Sequence, residues 1–397
     1  MDDTRREALI TGIGIVSCLG EGPQAHWDAL NAARPAADTT TFAPYIVHPL
    51  VLPELDKQIP KKGDQRQMEP WQRIGTYAAG LALESAGVKG NTELLGRMDM
   101  IVAAGGGERD IAVDSAILSG IGKAANAGAF LNERLMNDLR PTLFLAQLSN
   151  LLAGNISIVH GVTGSSRTFM GEESAGMDAV RIAQARIAAG QSEIVLVGGS
   201  HNGERKDLLM LYEFGGFNLK DRFAPVWQRG PKGGFALGSL GAFLVLESHA
   251  HAQARGAKPL ARLTAVLSDR SARKPSGIVQ TLRGLWQNLA QRLRPGEYAV
   301  VSGATGTEPA TSEERTFLSE HPEAAIRATG TYVGHALEPQ FIMNIALAAT
   351  AVSRASLFPP GDSSGVEQPM QGRLSQAVVT SVGHWRGEGL ALIEAAG

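Results

Sequence analysis

Short, unbroken apolar runs alternate along this chain with longer amphipathic stretches, and that alternation restricts the fold more than any other feature. Ala8–Val16, Met98–Ala104, Ile194–Gly198, Ala242–Glu247, Tyr298–Ser302 and Ala377–Val382 are short and nearly continuously apolar. A strand with one wet face would alternate apolar and polar residues, so continuous runs predict strands covered on both faces. Between them, Arg73–Ala86, Ser174–Ala189 and Asn344–Ala355 carry helical periodicity. Gly87, Gly190 and the Pro359–Pro360 pair stand just beyond them as stop signals. Strands alternating with helices predict α/β layers around a mixed or parallel sheet.

A chain of 397 residues is too long for one small core, so two domains or one large layered domain are expected. No repeat of 20–50 residues is visible. The segment His249–Lys258 (SHAHAQARGAK with its preceding serine) looks like a surface connection, and it places the boundary between two halves, 1–250 and 251–397. Lys57–Gly63 looks like a polar surface loop. The 37 basic and 39 acidic side chains give a formal net charge of −2, which supplies no field for a phosphate backbone. Nucleic acid is therefore not an expected partner. A single cysteine, Cys18, excludes an internal disulfide framework and a cysteine-built metal cluster, and no metal or cofactor is expected. The opening residues lack a basic-then-apolar order, and no window reaches about 20 apolar residues, so a cytoplasmic protein without a membrane partner is expected.

The strongest local feature is GVTGSSRTFMGEESAG, Gly161–Gly176. It runs from a glycine turn through an extended stretch into an alanine-rich helix. Glu172, Glu173 and Ser174 then fall at a helix N-terminus, where unpaired N–H groups and the helix dipole favour negative charge. By periodicity alone, acidic capping explains the two glutamates.

In its wider context this segment resembles the nucleophile region of the β-ketoacyl-acyl-carrier-protein synthases of the thiolase fold. LITGIGIVSCLG (Leu9–Gly20) resembles their opening strand and turn, and LLAGNISIVHGVTG (Leu151–Gly164) the approach to their nucleophile. GQSEIVLVGGS (Gly190–Ser200) is similar to the strand that follows, and Gly233–Lys258 to the end of the first half. TGTYVGHAL (Thr329–Leu337) and TSVGHWRGEG (Thr380–Gly389) resemble the C-terminal motifs. The resemblance implies a layered αβαβα fold built from two similar halves. It also implies a chemistry in which a cysteine takes an acyl group and two histidines assist malonyl decarboxylation. A lysine supports one histidine, and a phenylalanine gates the site.

Carried over position by position, that equipment is largely missing. Nine residues on from Gly164, and seventeen back from Gly190, the cysteine position falls on Glu173. The first histidine falls on Ala304, or on Thr305 if the loop SGATGTEP is one residue shorter. The lysine position falls on Gly330 and the gate on His384, while the second histidine is kept as His335. The glycine-rich turn reads Gly238, Ser239, Leu240, Gly241, Ala242. Cys18 follows the opening strand and is expected to be a packing residue. His335 is expected to serve packing more than chemistry, and a Glu173–His384 pair would plug the site. Relatives with glutamine at the cysteine position decarboxylate malonyl groups, but a glutamate is a weaker mimic of the acylated thiol unless burial protonates it.

A kept scaffold with lost catalytic identities resembles a chain-length factor, an inactive subunit that pairs with an active ketosynthase and shapes its acyl tunnel. The implied partners are that ketosynthase and an acyl carrier protein, in a fatty-acid, aryl-polyene or polyketide pathway. Pro141–Gln147 would reach toward the partner's tunnel, with Leu143 and Gln147 as candidate tunnel residues, and Ser166–Met170 would pair across the dimer. KQIPKK (Lys57–Lys62) is a candidate carrier-protein contact, though a solvated loop explains it as well. Two alternatives stand beside this reading: an active synthase or decarboxylase using His335, and an acyl-binding scaffold homodimer.

Overall fold

The structure, a computed structural model, describes residues 6–396. Ten strands form one path: β1 (Ala8–Ser17), β2 (Asp99–Ala103), β3 (Ser166–Phe169), β4 (Ile194–His201), β5 (Leu240–Ser248), β6 (Ala261–Asp269), β7 (Tyr298–Ser302), β8 (Ala325–Ala328), β9 (Gln376–Val382) and β10 (Glu388–Ala395). In space they run β8-β7-β9-β10-β6-β1-β5-β4-β2-β3. From β1 outward, β1 and β5 are antiparallel, β5 and β4 antiparallel, and β4, β2 and β3 parallel. From β6 outward the pattern repeats: β6 and β10 antiparallel, β10 and β9 antiparallel, and β9, β7 and β8 parallel. The two halves join where Ala8–Ile10 pair antiparallel with Leu263–Ala261. This is the two-fold internal similarity implied by the resemblance, and it is written in pairing order rather than in repeated sequence.

Helices sort into three layers. α1 (Pro70–Ser85) and α2 (Leu151–His160) cover the outer face of the first half. α3 (Glu173–Ala188) and α6 (Gln340–Ser353) pack together at the centre. α4 (Gly277–Ala290) and α5 (Ala310–Leu318) cover the outer face of the second half. The αβαβα expectation is met. α6 is buried from Gln340 to Val352, as a helix apolar on all sides must be. At β1, a Cβ on Gly14 would stand 2.0 Å from the Ala78 carbonyl oxygen, so glycine lets α1 lie directly on the strand.

Several boundaries differ from the sequence reading. α6 begins four residues before Asn344, because Gln340–Met343 continue the buried face. α1 starts at Pro70, set by a Glu69–Gln72 capping box. Lys57–Gly63 is not simply a loop: a 3-10 turn covers Leu55–Lys57, a helix starts at Lys62, and Gln58 and Ile59 are buried between them. His249–Lys258 opens with a helix, His249–Ala254, capped by Ser248 and anchored by buried Ala252. β6 and β10 carry mixed polar residues at the middle of the sheet, so an apolar-run criterion passes over them. No helix among the described residues is long and apolar enough to cross a membrane.

Candidate functional site

The turn from β3 into α3 is under backbone strain. Gly171 has φ +131° and Glu172 has φ 57°, ψ −139°, a conformation rare for a residue with a side chain. The strain turns the chain so that Glu173, the first helical residue, points into the protein with 2 % of its surface exposed. Close packing fixes the helix. A Cβ on Gly176 would stand 2.1 Å from the Glu338 carbonyl oxygen, so α3 sits against the backbone of the loop that carries His335.

Three donors converge on one oxygen of Glu173. His335 Nε2 lies 2.7 Å from Oε1, His384 Nδ1 lies 2.8 Å from it, and the His384 backbone N–H donates to it at 3.1 Å. Aromatic rings close the surroundings, with Phe217 4.8 Å and Tyr212 and Phe235 each 5.5 Å from the His384 ring, centroid to centroid. Arg273 holds the turn that presents His384, donating to the Gly383 and Trp385 carbonyls at 2.8 and 2.9 Å. Burial opposes ionisation of Glu173, but the His384 charge and the two histidine hydrogen bonds outweigh it and hold the carboxyl well below its usual range. Burial also opposes charge on His384, and the Glu173 carboxylate reverses that and raises its pKa. His335 shifts down, because its own burial outweighs its bond to Glu173. The shifts thus favour charge on Glu173 and on His384 and disfavour it on His335. A place where three N–H groups could hold a developing oxyanion is filled by the chain's own carboxylate.

The same three residues are the donor types that a divalent cation takes, with ligand atoms within 4.8 Å of one another. Their 2.7 and 2.8 Å separations are hydrogen-bond spacings. Ligands on a tetrahedral zinc ion stand about 3.3 Å apart. Adding excess Zn2+ is expected to leave the thermal unfolding midpoint unchanged, and a rise of several degrees would contradict the hydrogen-bonded assignment.

The other candidate positions form a second group. Ala304 is buried, and a Cβ on Gly330 would stand 3.1 Å from the Ala304 carbonyl oxygen and 3.2 Å from Val226 Cγ2, so the two positions are neighbours. Sequence reasoning missed Arg229, which ties this region together. Its guanidinium donates to the carbonyls of Ala224, Gly234 and Thr305 at 3.0, 3.0 and 2.9 Å, and its pKa is pushed down to about 9 by burial. Nothing in the local sequence QRGPKGG distinguishes Arg229 from a solvated arginine.

Cys18 lies elsewhere, buried, with its Sγ donating to the Tyr332 carbonyl at 3.2 Å. Burial pushes the thiol up to about 12. Iodoacetamide at pH 8 is expected to leave the folded protein unlabelled and to modify it fully in concentrated guanidinium chloride. Rapid labelling of folded protein would reinstate Cys18 as a nucleophile.

Leu143 lies in a one-turn helix, Leu143–Ala146, and is half-buried, while Gln147 is exposed and donates to the Glu108 carbonyl. Neither contacts the Glu173 cluster through a hydrogen bond. Around them Phe144, Leu145 and Leu148 are exposed, as are Leu118, Leu135, Met136, Ile158 and Met170. β3 is the last strand of its side of the sheet, with Ser166 and Arg167 exposed. The Lys57–Lys62 patch is partly neutralised, since Lys57 meets Glu54 at 3.6 Å and Lys62 meets Asp56 at 2.5 Å.

Comparison with known proteins agrees with this architecture. The chain is 25 % identical over 268 residues to 3-oxoacyl-[acyl-carrier-protein] synthase 2 of Vibrio cholerae, a match that takes in 64 % of this chain and 61 % of that protein. The matched region is thus under two thirds of that relative's length. Among solved structures, the ishigamide ketosynthase/chain length factor superposes with a TM-score of 0.80 at 19 % identity, over 99 % of this chain and 100 % of that one. A type II polyketide synthase acyl-carrier protein in complex with its ketosynthase gives 0.75 at 18 %, over 98 % and 100 %. Since the family model "Beta-ketoacyl synthase, N-terminal domain" matches residues 5–252, well over half of the length, this chain belongs to the β-ketoacyl synthase family.

Proposed function

We propose that this chain is a non-condensing ketosynthase-family subunit that pairs with an active ketosynthase and shapes its acyl tunnel. The observation that carries this is Glu173. At the strained turn where the family resemblance expects a thiol, a carboxylate is locked by three donors. A carboxylate held far below its usual pKa is a poor acyl acceptor, and the histidine that would assist chemistry, His335, is committed to it. The positions Ala304 and Gly330 supply no second acid–base group. Pairing is supported by exposed Phe144, Leu145 and Leu148, which lie next to one another in the segment that holds Leu143 and Gln147. The free edge of β3 supports pairing through Ser166–Met170, with Leu143 and Gln147 near the shared tunnel. The two halves, 1–250 and 251–397, are proposed to act as one body, and acyl carrier protein would be served by the pair.

The test is co-expression with a ketosynthase encoded beside this chain. A stable heterodimer whose condensation is abolished by replacing only the partner's cysteine supports the proposal. A chain that pairs with no ketosynthase favours the scaffold homodimer.

A further inference from the structure

The sheet ends differently on its two sides. At one end the chain covers its own last strand. β8 is wholly buried, the Ala328 N–H donates to the Glu367 carboxylate at 2.7 Å, and Arg327 donates to the Phe358 and Gln368 carbonyls at 2.7 and 3.0 Å. At the other end, β3 pairs only with β2 among the described residues. Its inner edge is occupied, since the Ser165 and Phe169 carbonyls accept from the Met100 and Ala104 N–H groups at 2.8 and 3.0 Å. Successive residues of a strand turn their N–H and C=O groups to opposite edges, so those of Ser166 and Thr168 point outward. No proline or bulge interrupts Ser166–Phe169, and an edge without these devices is open to another strand.

Arg167 stands between the two outward residues and is exposed. Among the described residues no carboxylate meets it. Ile101 lies opposite it on β2. Asp99, two residues back on the same face, is taken by Arg186 at 2.8 Å and by the Ser165 N–H at 3.1 Å. Consider a second copy added antiparallel about a two-fold axis, with both outward residues bonded. Ser166 of one copy then pairs with Thr168 of the other, and the two Arg167 residues stand face to face. They form the non-hydrogen-bonded pair, with Cα atoms about 4.5 Å apart and side chains on one face. Like charges so placed repel, and an opposite charge in that place attracts. We infer that Arg167 selects the partner at this edge. The strand that pairs here presents a carboxylate opposite Arg167, so a ketosynthase subunit with aspartate or glutamate at that position is taken in preference to a second copy of this chain. The inference rests on the pairing reading above, and names the feature by which the partner is recognised.

The test uses wild type and Arg167→Glu, both full-length and differently tagged, measured alone and mixed by sedimentation equilibrium. The mixture places arginine opposite glutamate. It is expected to dimerise about tenfold more tightly than either chain alone, and about 0.5 M NaCl should remove most of that gain. Thr168→Pro removes an outward N–H and leaves the ladder to β2 intact, so in either chain it should abolish dimerisation of the mixture. Circular dichroism confirms the fold of each variant. A mixture no tighter than the chains alone would overturn the inference, leaving Arg167 as a charge that only keeps the edge apart. In the heterodimer with a ketosynthase encoded beside this chain, Arg167→Glu should weaken pairing about tenfold. A heterodimer indifferent to Arg167→Glu would overturn the inference while the tunnel reading stands. Charge-dependent pairing of the two variants with no ketosynthase bound would refute the tunnel reading and leave the edge assignment standing.

Discussion

Glu173→Ala is expected to lower the unfolding free energy by about 3–5 kcal/mol, because it takes from buried His384 its nearest counter-charge and leaves only Glu172, 3.7 Å from its Nε2. Glu173→Gln keeps the shape and an amide oxygen where the three donors converge, and is expected to cost less, about 1.5–3 kcal/mol, the range of a hydrogen bond to a charged group. The pH dependence separates this from simple loss of packing. The folded pKa of Glu173 is depressed, so its contribution is fully present above the ordinary carboxyl value of 4.5 and is lost as pH falls through the depressed value. The folded pKa of His384 is raised, so its contribution is fully present below 6.5 and is lost as pH rises through the raised value. The gap between wild type and Glu173→Gln should therefore be widest between pH 4.5 and 6.5 and narrow on both sides. Urea unfolding across that range measures it, and a gap independent of pH would remove the ion pair from the account. In the same variant the His384 ring, followed by NMR, should titrate lower than in the wild type, since Glu172, 3.7 Å from its Nε2, is then the carboxylate left to oppose burial.

Gly176→Ala carries the second large effect. The added Cβ would meet the Glu338 carbonyl oxygen at 2.1 Å, and that atom is backbone between His335 and α6 rather than a side-chain end that can swing away. Either α3 or the His335 loop must shift. A cost of about 3 kcal/mol, the upper end of ordinary overpacking, is expected. The shift should also lengthen the His335–Glu173 hydrogen bond. Gly284→Ala serves as the matched control. It lies within α4 with nothing within 4 Å of the added carbon, and should stabilise the protein by about 0.5–1 kcal/mol through helix propensity alone. Comparable destabilisation of both variants would mean that the contact between α3 and the Glu338 loop is not as tight as described.

How much of this was legible in the sequence depended on the range of the signal. The strands buried on both faces were legible because burial there leaves unbroken apolar runs, as in β1, β5 and β7. β6 and β10 were not, because Arg262 and Glu394 on them pair across the sheet at 3.0 Å, a compensation visible only when the strands are neighbours. The start of α1 was missed although Glu69, Pro70 and Gln72 spell a capping box. At the site, residue counting from Gly164 and Gly190 placed Glu173 at a helix start, and the structure puts it there. The convergence of His335 and His384 on one carboxylate oxygen involves residues 162 and 211 positions away, and was open to conjecture only through the family resemblance. Arg229 was not foreseeable, since its partners are backbone carbonyls, which leave no mark on the side-chain sequence.

On the proposed function, the carboxylate at residue 173 stands in place of a nucleophile and serves structure instead of acyl transfer. The direct measurement incubates the isolated chain with acyl- and malonyl-carrier protein and follows both proteins by intact mass. The expected result is no acyl adduct on the chain and no conversion of malonyl- to acetyl-carrier protein above the uncatalysed rate. An acyl adduct, or malonyl decarboxylation that disappears in His335→Ala, would contradict it.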